Sequence, residues 1–279
     1  MVNTELKKIV AFLHQQKGID FSGYREAMLE RRTQKRLFKT KCENYHEYFN
    51  FLTQNPQELD SLIDVYTINV SSFCRNPLSF EMLRKEVLPA IIDQKQEESK
   101  PNIRVWSAGC AKGEEAYSVA ILLDEIQNRK KTLNSIYFIA TDIDTKVLTA
   151  AKQAVYGAAS IEKLKHGLVK KYFHEEEKKF RLDSRIKEMV QFSYFNLLNE
   201  KQKLPPECIY GDFDVVLCRN VLIYMNEKEQ QVVFEKLYRS LKPNGYLVLG
   251  EAELPIVEFK HKFRRLGRHC KIFKKVPFL

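Results

Sequence analysis

Along roughly the first seventy residues, apolar side chains recur at the three- and four-residue spacing that places them on one face of a helix. Leu6, Ile9, Val10 and Leu13 form one such stripe, Tyr45, Tyr48, Phe49 and Leu52 a second, and Leu59, Leu62, Ile63 and Tyr66 a third. Gly18 and Asn55-Pro56 punctuate the pattern, as residues that end helices or begin them do. A small all-α domain is expected here. A further helix is predicted from Ser79 to about Gln96, and the polar run Gln96-Glu-Glu-Ser-Lys-Pro101 reads as a break.

From Ile103 the rhythm changes to strand, turn and helix. Ile103-Arg-Val-Trp-Ser enters a glycine-bearing turn, and Val119, Leu122, Leu123 and Ile126 mark the helix that follows. Ile136-Tyr-Phe-Ile-Ala-Thr predicts a second strand, with a helix around Lys146 to Gln153. Val190-Gln-Phe-Ser-Tyr-Phe, Phe213-Asp-Val-Val-Leu-Cys and Tyr246-Leu-Val-Leu-Gly add three more. A helix over Glu229 to Leu241 precedes the last, with Lys242-Pro-Asn-Gly as its stop. Strands alternating with helices predict a mostly parallel, doubly wound sheet covered on both faces. The alternation lapses between Tyr156 and Glu188, where Phe180-Arg-Leu alternates like a strand. The expected division is an all-α N-terminal domain over 1–75 and an α/β domain over 76–279, with a subdomain inserted at about 157–188.

Composition narrows the function classes. The chain has 279 residues, enough for one large domain and a small one. No stretch approaches the ~20 apolar residues of a membrane-spanning helix, and the N-terminus is amphipathic rather than laid out as a signal peptide; a cytoplasmic protein without membrane insertion is expected. Six cysteines lie scattered with no paired spacing, which argues for reduced thiols and no metal site. The net charge of +10 asks for an acidic partner or a solvated basic face. The stretch after Pro255 holds Lys260, Lys262, Arg264, Arg265, Arg268, Lys271, Lys274 and Lys275 against Glu258 alone; a solvated face is the expectation there.

Ligands of doubly wound sheets sit beyond the carboxyl ends of the strands, and four segments fall at those ends. In Trp106-Ser-Ala-Gly109-Cys-Ala-Lys-Gly113-Glu114-Glu115, glycines allow close backbone approach. The two acids in the first helical turn would repel a pyrophosphate, so a cationic ligand fits better; compensation of the helix dipole is the bland alternative. Asp142 in Thr141-Asp142-Ile-Asp144 suits ribose hydroxyls, with helix capping as the alternative. Together these favour S-adenosylmethionine over a dinucleotide. Phe195-Asn196-Leu197-Leu198 could hold an adenine edge and face, and Cys218-Arg219-Asn220-Val221-Leu222-Ile223-Tyr224 follows the next strand.

These blocks, with Asn69-Val-Ser71-Ser-Phe73-Cys-Arg75 ahead of them, closely resemble the CheR-type chemotaxis receptor methyltransferases over nearly the whole chain. The resemblance implies a class I S-adenosylmethionine-dependent methyltransferase, Rossmann-like, with the helical N-terminal domain and the inserted β-containing subdomain. Its activity would be transfer of a methyl group to glutamate side chains of methyl-accepting chemotaxis receptors, leaving S-adenosylhomocysteine. Asn69, Ser71 and Arg75 would then touch the methionine end of the cofactor, with Glu115 or Glu114 nearby. Asp142 would take the ribose, Asn196 and Leu197 the adenine, and Asn220 and Val221 would line the site. Arg75 and Tyr224 would face the substrate. Ser71 stands where the family usually has Thr, Cys74 where it has an aromatic, and Lys112 and Ala116 where it has Thr and Pro.

A glutamate acceptor is ionised at neutral pH, with a reference pKa near ~4.3, so it needs orientation and no general base. An arginine fork such as that of Arg75 suits the task. Receptor methylation regions in this family are acidic helical bundles. The helix from about Arg25 to Lys41 carries Arg25, Arg31, Arg32, Lys35, Arg36, Lys39 and Lys41 against only Glu26 and Glu30, with Arg25, Arg32, Arg36 and Lys39 sharing one face. It is the expected docking surface, with a solvated basic face as the bland alternative. In some family members the inserted subdomain grips a receptor peptide through a glycine-containing loop. Tyr172-Phe-His-Glu-Glu-Glu-Lys-Lys-Phe-Arg-Leu has no glycine, so recognition without such a tether is expected. A monomer is expected. Two rival readings are a nucleic-acid methyltransferase, disfavoured by Arg219-Asn220-Val221-Leu222 where an Asn/Asp-Pro-Pro-aromatic motif would stand, and a non-catalytic module that binds S-adenosylmethionine.

Overall fold

The computed structural model describes residues 4–67, 71–96, 102–132 and 135–276; Asn69 and residues 97–101 of the expected polar break lie outside them. The chain divides into two compact units, Met1–Asn69 with Tyr224–Gln230, and Val70–Ile223 with Gln231–Leu279. Ser71 to Arg75 therefore belong to the larger unit and Tyr224 to the smaller one, the reverse of a division after residue 75.

The smaller unit holds α1 (Thr4–Lys17), α2 (Glu26–Thr40), α3 (Tyr45–Gln54) and α4 (Pro56–Thr67). The three apolar stripes become its core: Leu6, Ile9, Leu13, Tyr48, Leu52, Leu59, Leu62 and Tyr66 are buried together with Phe21 and Leu29. Asn44 caps α3 by accepting from the Glu47 amide, and Pro56 opens α4, where its missing N–H costs no helical bond. The added segment joins through a bridge between Tyr24 and Met225 and through the Arg25 amide donating to Tyr224 O.

Helix α2 corrects the expected docking face. Arg36 lies buried, its guanidinium donating to both oxygens of Glu58 at 2.7 and 2.6 Å, and Tyr48 donates to the same carboxylate at 2.7 Å. Arg32 donates to Val65 O, and the Arg25 Nε to Met225 O. Three of the four residues expected to share an outward basic face are thus held by protein acceptors. The exposed stripe is the adjacent one, Arg31, Gln34, Lys35, Phe38 and Lys39, with the Phe38 ring 89% exposed.

The larger unit opens with α5 (Pro77–Met82), a π-helical turn at Leu83–Val87, and α6 (Leu88–Gln96). Then follow β1 (Asn102–Ala108), α7 (Glu114–Lys130), β2 (Ser135–Asp142) and α8 (Thr145–Gln153). The insertion comprises β3 (Val155–Gly157), α9 (Ala158–Ile161), α10 (His166–Tyr172), β4 (Phe173–Glu176), β5 (Lys179–Leu182) and α11 (Ser184–Glu188). The chain continues through β6 (Val190–Tyr194), β7 (Phe213–Cys218), α12 (Glu227–Ser240), β8 (Leu241–Leu249), β9 (Phe263–Arg265) and β10 (Ile272–Lys275). The main sheet runs β6-β2-β1-β7-β8-β10-β9. Its first five strands are parallel neighbours, and β10 and β9 are antiparallel. The strand order reverses between β1 and β7, which opens a crevice at their carboxyl ends.

The insertion forms its own antiparallel sheet, β3-β5-β4. Its hairpin turn is Glu177-Lys178, both at positive φ, so two ordinary residues fill a turn that usually recruits glycine or asparagine. The Lys242-Pro-Asn-Gly stop falls inside β8, not before it. The register with β7 jumps from Phe213–Leu241 to Val215–Tyr246, which leaves those four residues as a bulged excursion, with Asn244 at φ 64°.

Candidate active site

The loop after β1 sets the floor of the crevice. Gly109 and Gly113 take φ values of 78° and 86°, and Ala111 one of 48°. A Cβ on Gly109 would lie 2.4 Å from Val221 Cγ2, so this position needs glycine for conformation and for space alike. The Gly109 and Cys110 amides donate to Thr141 O at 2.8 and 3.0 Å, which ties the loop to the end of β2. There Asp142, 9% exposed, accepts from the Ala111 amide at 2.9 Å and the Asp144 amide at 3.0 Å. Burial raises its pKa to about 6, against the pull of those amides. Asp144 caps α8 through the Lys146 amide. The Phe195 amide donates to Asp142 O at 3.0 Å, and this brings the Asn196-Leu197 turn alongside.

The two acids at the start of α7 have different surroundings. Glu115 accepts from Ser107 Oγ at 2.9 Å and from Arg219 at 3.0 Å. Arg219 also donates to Arg75 O at 2.8 Å and lies over the Phe80 ring. Glu115 is therefore charge-compensated within the protein. Glu114 is 2% exposed, and its Oε2 meets no hydrogen-bond partner among the described residues. Burial raises its pKa, opposed first by a hydrogen bond from its own backbone amide, then by the charge of Lys112 and a hydrogen bond with the Ser160 side chain. A buried acceptor without a donor is costly and marks a place for a cationic or hydrogen-bonding ligand group.

The turn after β7 completes the crevice. Asn220 is half-buried at φ 60°, and Val221 packs against Gly109. Ser71 and Arg75 are half-buried in the same unit. The structure thus gathers Glu114, Glu115, Asp142, Asn196, Leu197, Asn220 and Val221 around the ends of β1, β2, β6 and β7. Tyr224 lies in the helical unit, packed on that unit's core, and Asn69 falls outside the described residues. No cluster of metal ligands occurs among the described residues.

Two residues that sequence reasoning missed support these turns. Glu253, 4% exposed, accepts from the amides of Asn220, Val221, Leu222, Ile223 and Gly250. Burial raises its pKa while those amides lower it. Lys236 donates to Leu197 O at 2.7 Å and Asn199 O at 2.9 Å, its pKa lowered by burial to about 8. Each acts on a turn more than thirty residues away in sequence, and no local motif marks such a partnership.

Two family models cover almost all of this architecture. Residues 69–272 match the CheR methyltransferase, SAM binding domain, and residues 4–67 the CheR methyltransferase, all-alpha domain. The chain belongs to the CheR methyltransferase family. A chemotaxis protein methyltransferase of Borreliella burgdorferi is 31% identical over 252 residues, covering 89% of this chain and 87% of that one. Chemotaxis protein methyltransferase 2 of Vibrio cholerae is 32% identical, covering 91% and 86%. That of Listeria innocua is 30% identical, covering 85% and 84%. The cofactor of this CheR methyltransferase is S-adenosylmethionine, and the donor set fits it: acids where a phosphate would be repelled, one buried Glu114 oxygen with no hydrogen-bond partner among the described residues, and Asp142 at the end of β2.

Proposed function

We propose that this CheR methyltransferase esterifies glutamate side chains on the cytoplasmic, acidic helical region of chemotaxis receptors. The observation that carries the choice of acceptor is the exposed stripe of α2, where Arg31, Lys35 and Lys39 surround the exposed ring of Phe38. Cations around an apolar anchor suit a surface rich in glutamate, and the relatives' names place methyl transfer in chemotaxis.

Bound S-adenosylmethionine supplies a methyl group on a positively charged sulfur. Glu114 would take the ammonium of its methionine end, since Glu115 is already paired with Arg219. Asp142 would accept from the ribose hydroxyls, and Asn196 and Leu197 would hold the adenine. Asn69 and Ser71 would complete the methionine end. Asn220 and Val221 would wall the crevice beside Gly109. Arg75 would orient the acceptor carboxylate, which is ionised at neutral pH and needs no base. Tyr224 is the second residue assigned to the acceptor.

The test is transfer of labelled methyl from S-adenosylmethionine to receptor-containing membranes by wild type and Arg75→Ala. Label on receptor, released as methanol by mild base and lost in the variant, is the expected result. Tight cofactor binding with no base-labile label would overturn the reading and direct attention to nucleic acid or to a binding module.

A further inference from the structure

We infer that Glu253 is a positioning residue for the cofactor, acting through the Asn220–Ile223 turn; the inference rests on the reading of Asn220 and Val221 as the cofactor's wall. The Glu253 carboxylate lies where β8 ends and gathers amides from two segments. Oε1 accepts from Val221 at 2.9 Å, Leu222 at 2.8 Å and Ile223 at 3.3 Å. Oε2 accepts from Asn220 at 2.9 Å and Gly250 at 2.6 Å. Four successive N–H groups of one turn therefore point at one side chain, the arrangement of an anion seated at the start of a helical turn.

The anchor holds the turn by its amides. Asn220 sits at φ 60°, a left-handed conformation that asparagine tolerates better than other L residues, so the hydrogen bonds to Glu253 carry the case. The anchor also sets the crevice directly, because Val221 Cγ2 occupies the space a Cβ on Gly109 would need. The approach is close from the other side too. A Cβ on Gly250 would lie 2.7 Å from Glu253 Oε2 and 2.8 Å from the Asn220 amide. Glu253 thus couples the end of β8 to the cofactor loop through a turn of fixed geometry.

Only an ionised carboxylate offers two acceptor oxygens to five donors. Glu253→Gln keeps one carbonyl oxygen but replaces the other oxygen with an NH2 group that donates and cannot accept, and so opposes donors with donors. Glu253→Asp keeps the charge and shortens the reach by one methylene.

The experiment is calorimetric binding of S-adenosylhomocysteine to wild type, Glu253→Gln and Glu253→Asp, well below the melting temperature, with circular dichroism establishing that each is folded. Glu253→Gln is expected to bind roughly tenfold or more weakly, as displaced positioning groups do, with Glu253→Asp intermediate. A merely structural glutamate would lower the melting temperature and leave the dissociation constant of the folded protein unchanged, and that result overturns the inference. If Glu253→Gln does not fold, Glu253→Asp gives the same reading: unaltered affinity in the folded protein refutes it. Wild type that fails to bind S-adenosylhomocysteine would instead refute the cofactor reading on which it rests.

Discussion

Asp142 carries the clearest consequence at the scale of single residues. Burial raises its folded pKa above the ordinary carboxylate value, to about 6, and the neighbouring Asp144 carboxylate pushes the same way. Ribose hydroxyls donate to the ionised form, so S-adenosylhomocysteine affinity should be flat above pH 7. It should then fall below pH 6, by up to about tenfold per unit for a single required ionisation. The folding contribution has the opposite sign. A raised carboxyl pKa stabilises the fold below its unfolded value and loses that contribution as pH rises through 6. Calorimetric titrations from pH 5 to 8 should therefore show a step in wild type and none in Asp142→Asn, which should bind weakly throughout; a flat wild-type profile would remove Asp142 from the ribose. Sequence alone brought Asp142 to the end of its strand, because a parallel strand's carboxyl end is fixed by its apolar run. It left Glu114 and Glu115 undivided, because what separates them is Arg219, a hundred residues away. Glu253 and Lys236 stayed unseen for the same reason.

Among the elements, α2 shows how periodicity can identify a face and misjudge its direction. Arg25, Arg32, Arg36 and Lys39 do share a side by spacing, but charge alone does not decide which way a helix turns. Leu29 and Leu37 set its inward face, and Arg36 on that side finds Glu58 and Tyr48 instead of water. The pair is 9% exposed at each side chain. Removing one partner of a buried pair leaves the other charge uncompensated, a cost of about 3–5 kcal/mol. Arg36→Met should therefore lower unfolding stability by that order in urea titrations, while Arg31→Ala, on the exposed stripe, should change it by no more than about 0.5 kcal/mol. Equal effects of the two substitutions would contradict the assignment of faces. The strands were read more faithfully: β1, β2 and β7 fall where their largely apolar runs predict, and β6, at the edge of the sheet, falls where its Val190-Gln-Phe-Ser-Tyr pattern predicts. Lys242-Pro-Asn-Gly misled for the opposite reason. The helix does stop just before them, at Ser240, but proline and glycine here bulge the following strand instead of separating it from the helix.

For the whole molecule, the net charge of +10 becomes a question of which cations remain for a partner. The basic stretch after Pro255 is partly spoken for. Lys275 donates to Tyr238 O and Leu241 O, Arg265 to Cys270 O and Arg268 O, and Lys262 lies 4.4 Å from the Phe259 ring centroid. Exposed Arg31, Lys35 and Lys39 on α2 are the cations arranged around an apolar anchor. If they meet acidic receptor helices, methylation should weaken with ionic strength while cofactor binding does not. Screening shortens the reach of exposed charges from about 10 Å at 0.1 M salt to about 3 Å at 1 M. The double reversal Arg31→Glu with Lys35→Glu should therefore cut initial methylation rates on receptor membranes roughly tenfold at low salt. Wild type and variant should converge as salt rises, because wild type loses the steering that the variant lacks. S-adenosylhomocysteine affinity should stay equal in both at every salt concentration. A variant that methylates as fast as wild type at low salt would remove α2 from receptor recognition. Its failure to bind the cofactor would point instead to a disturbed fold.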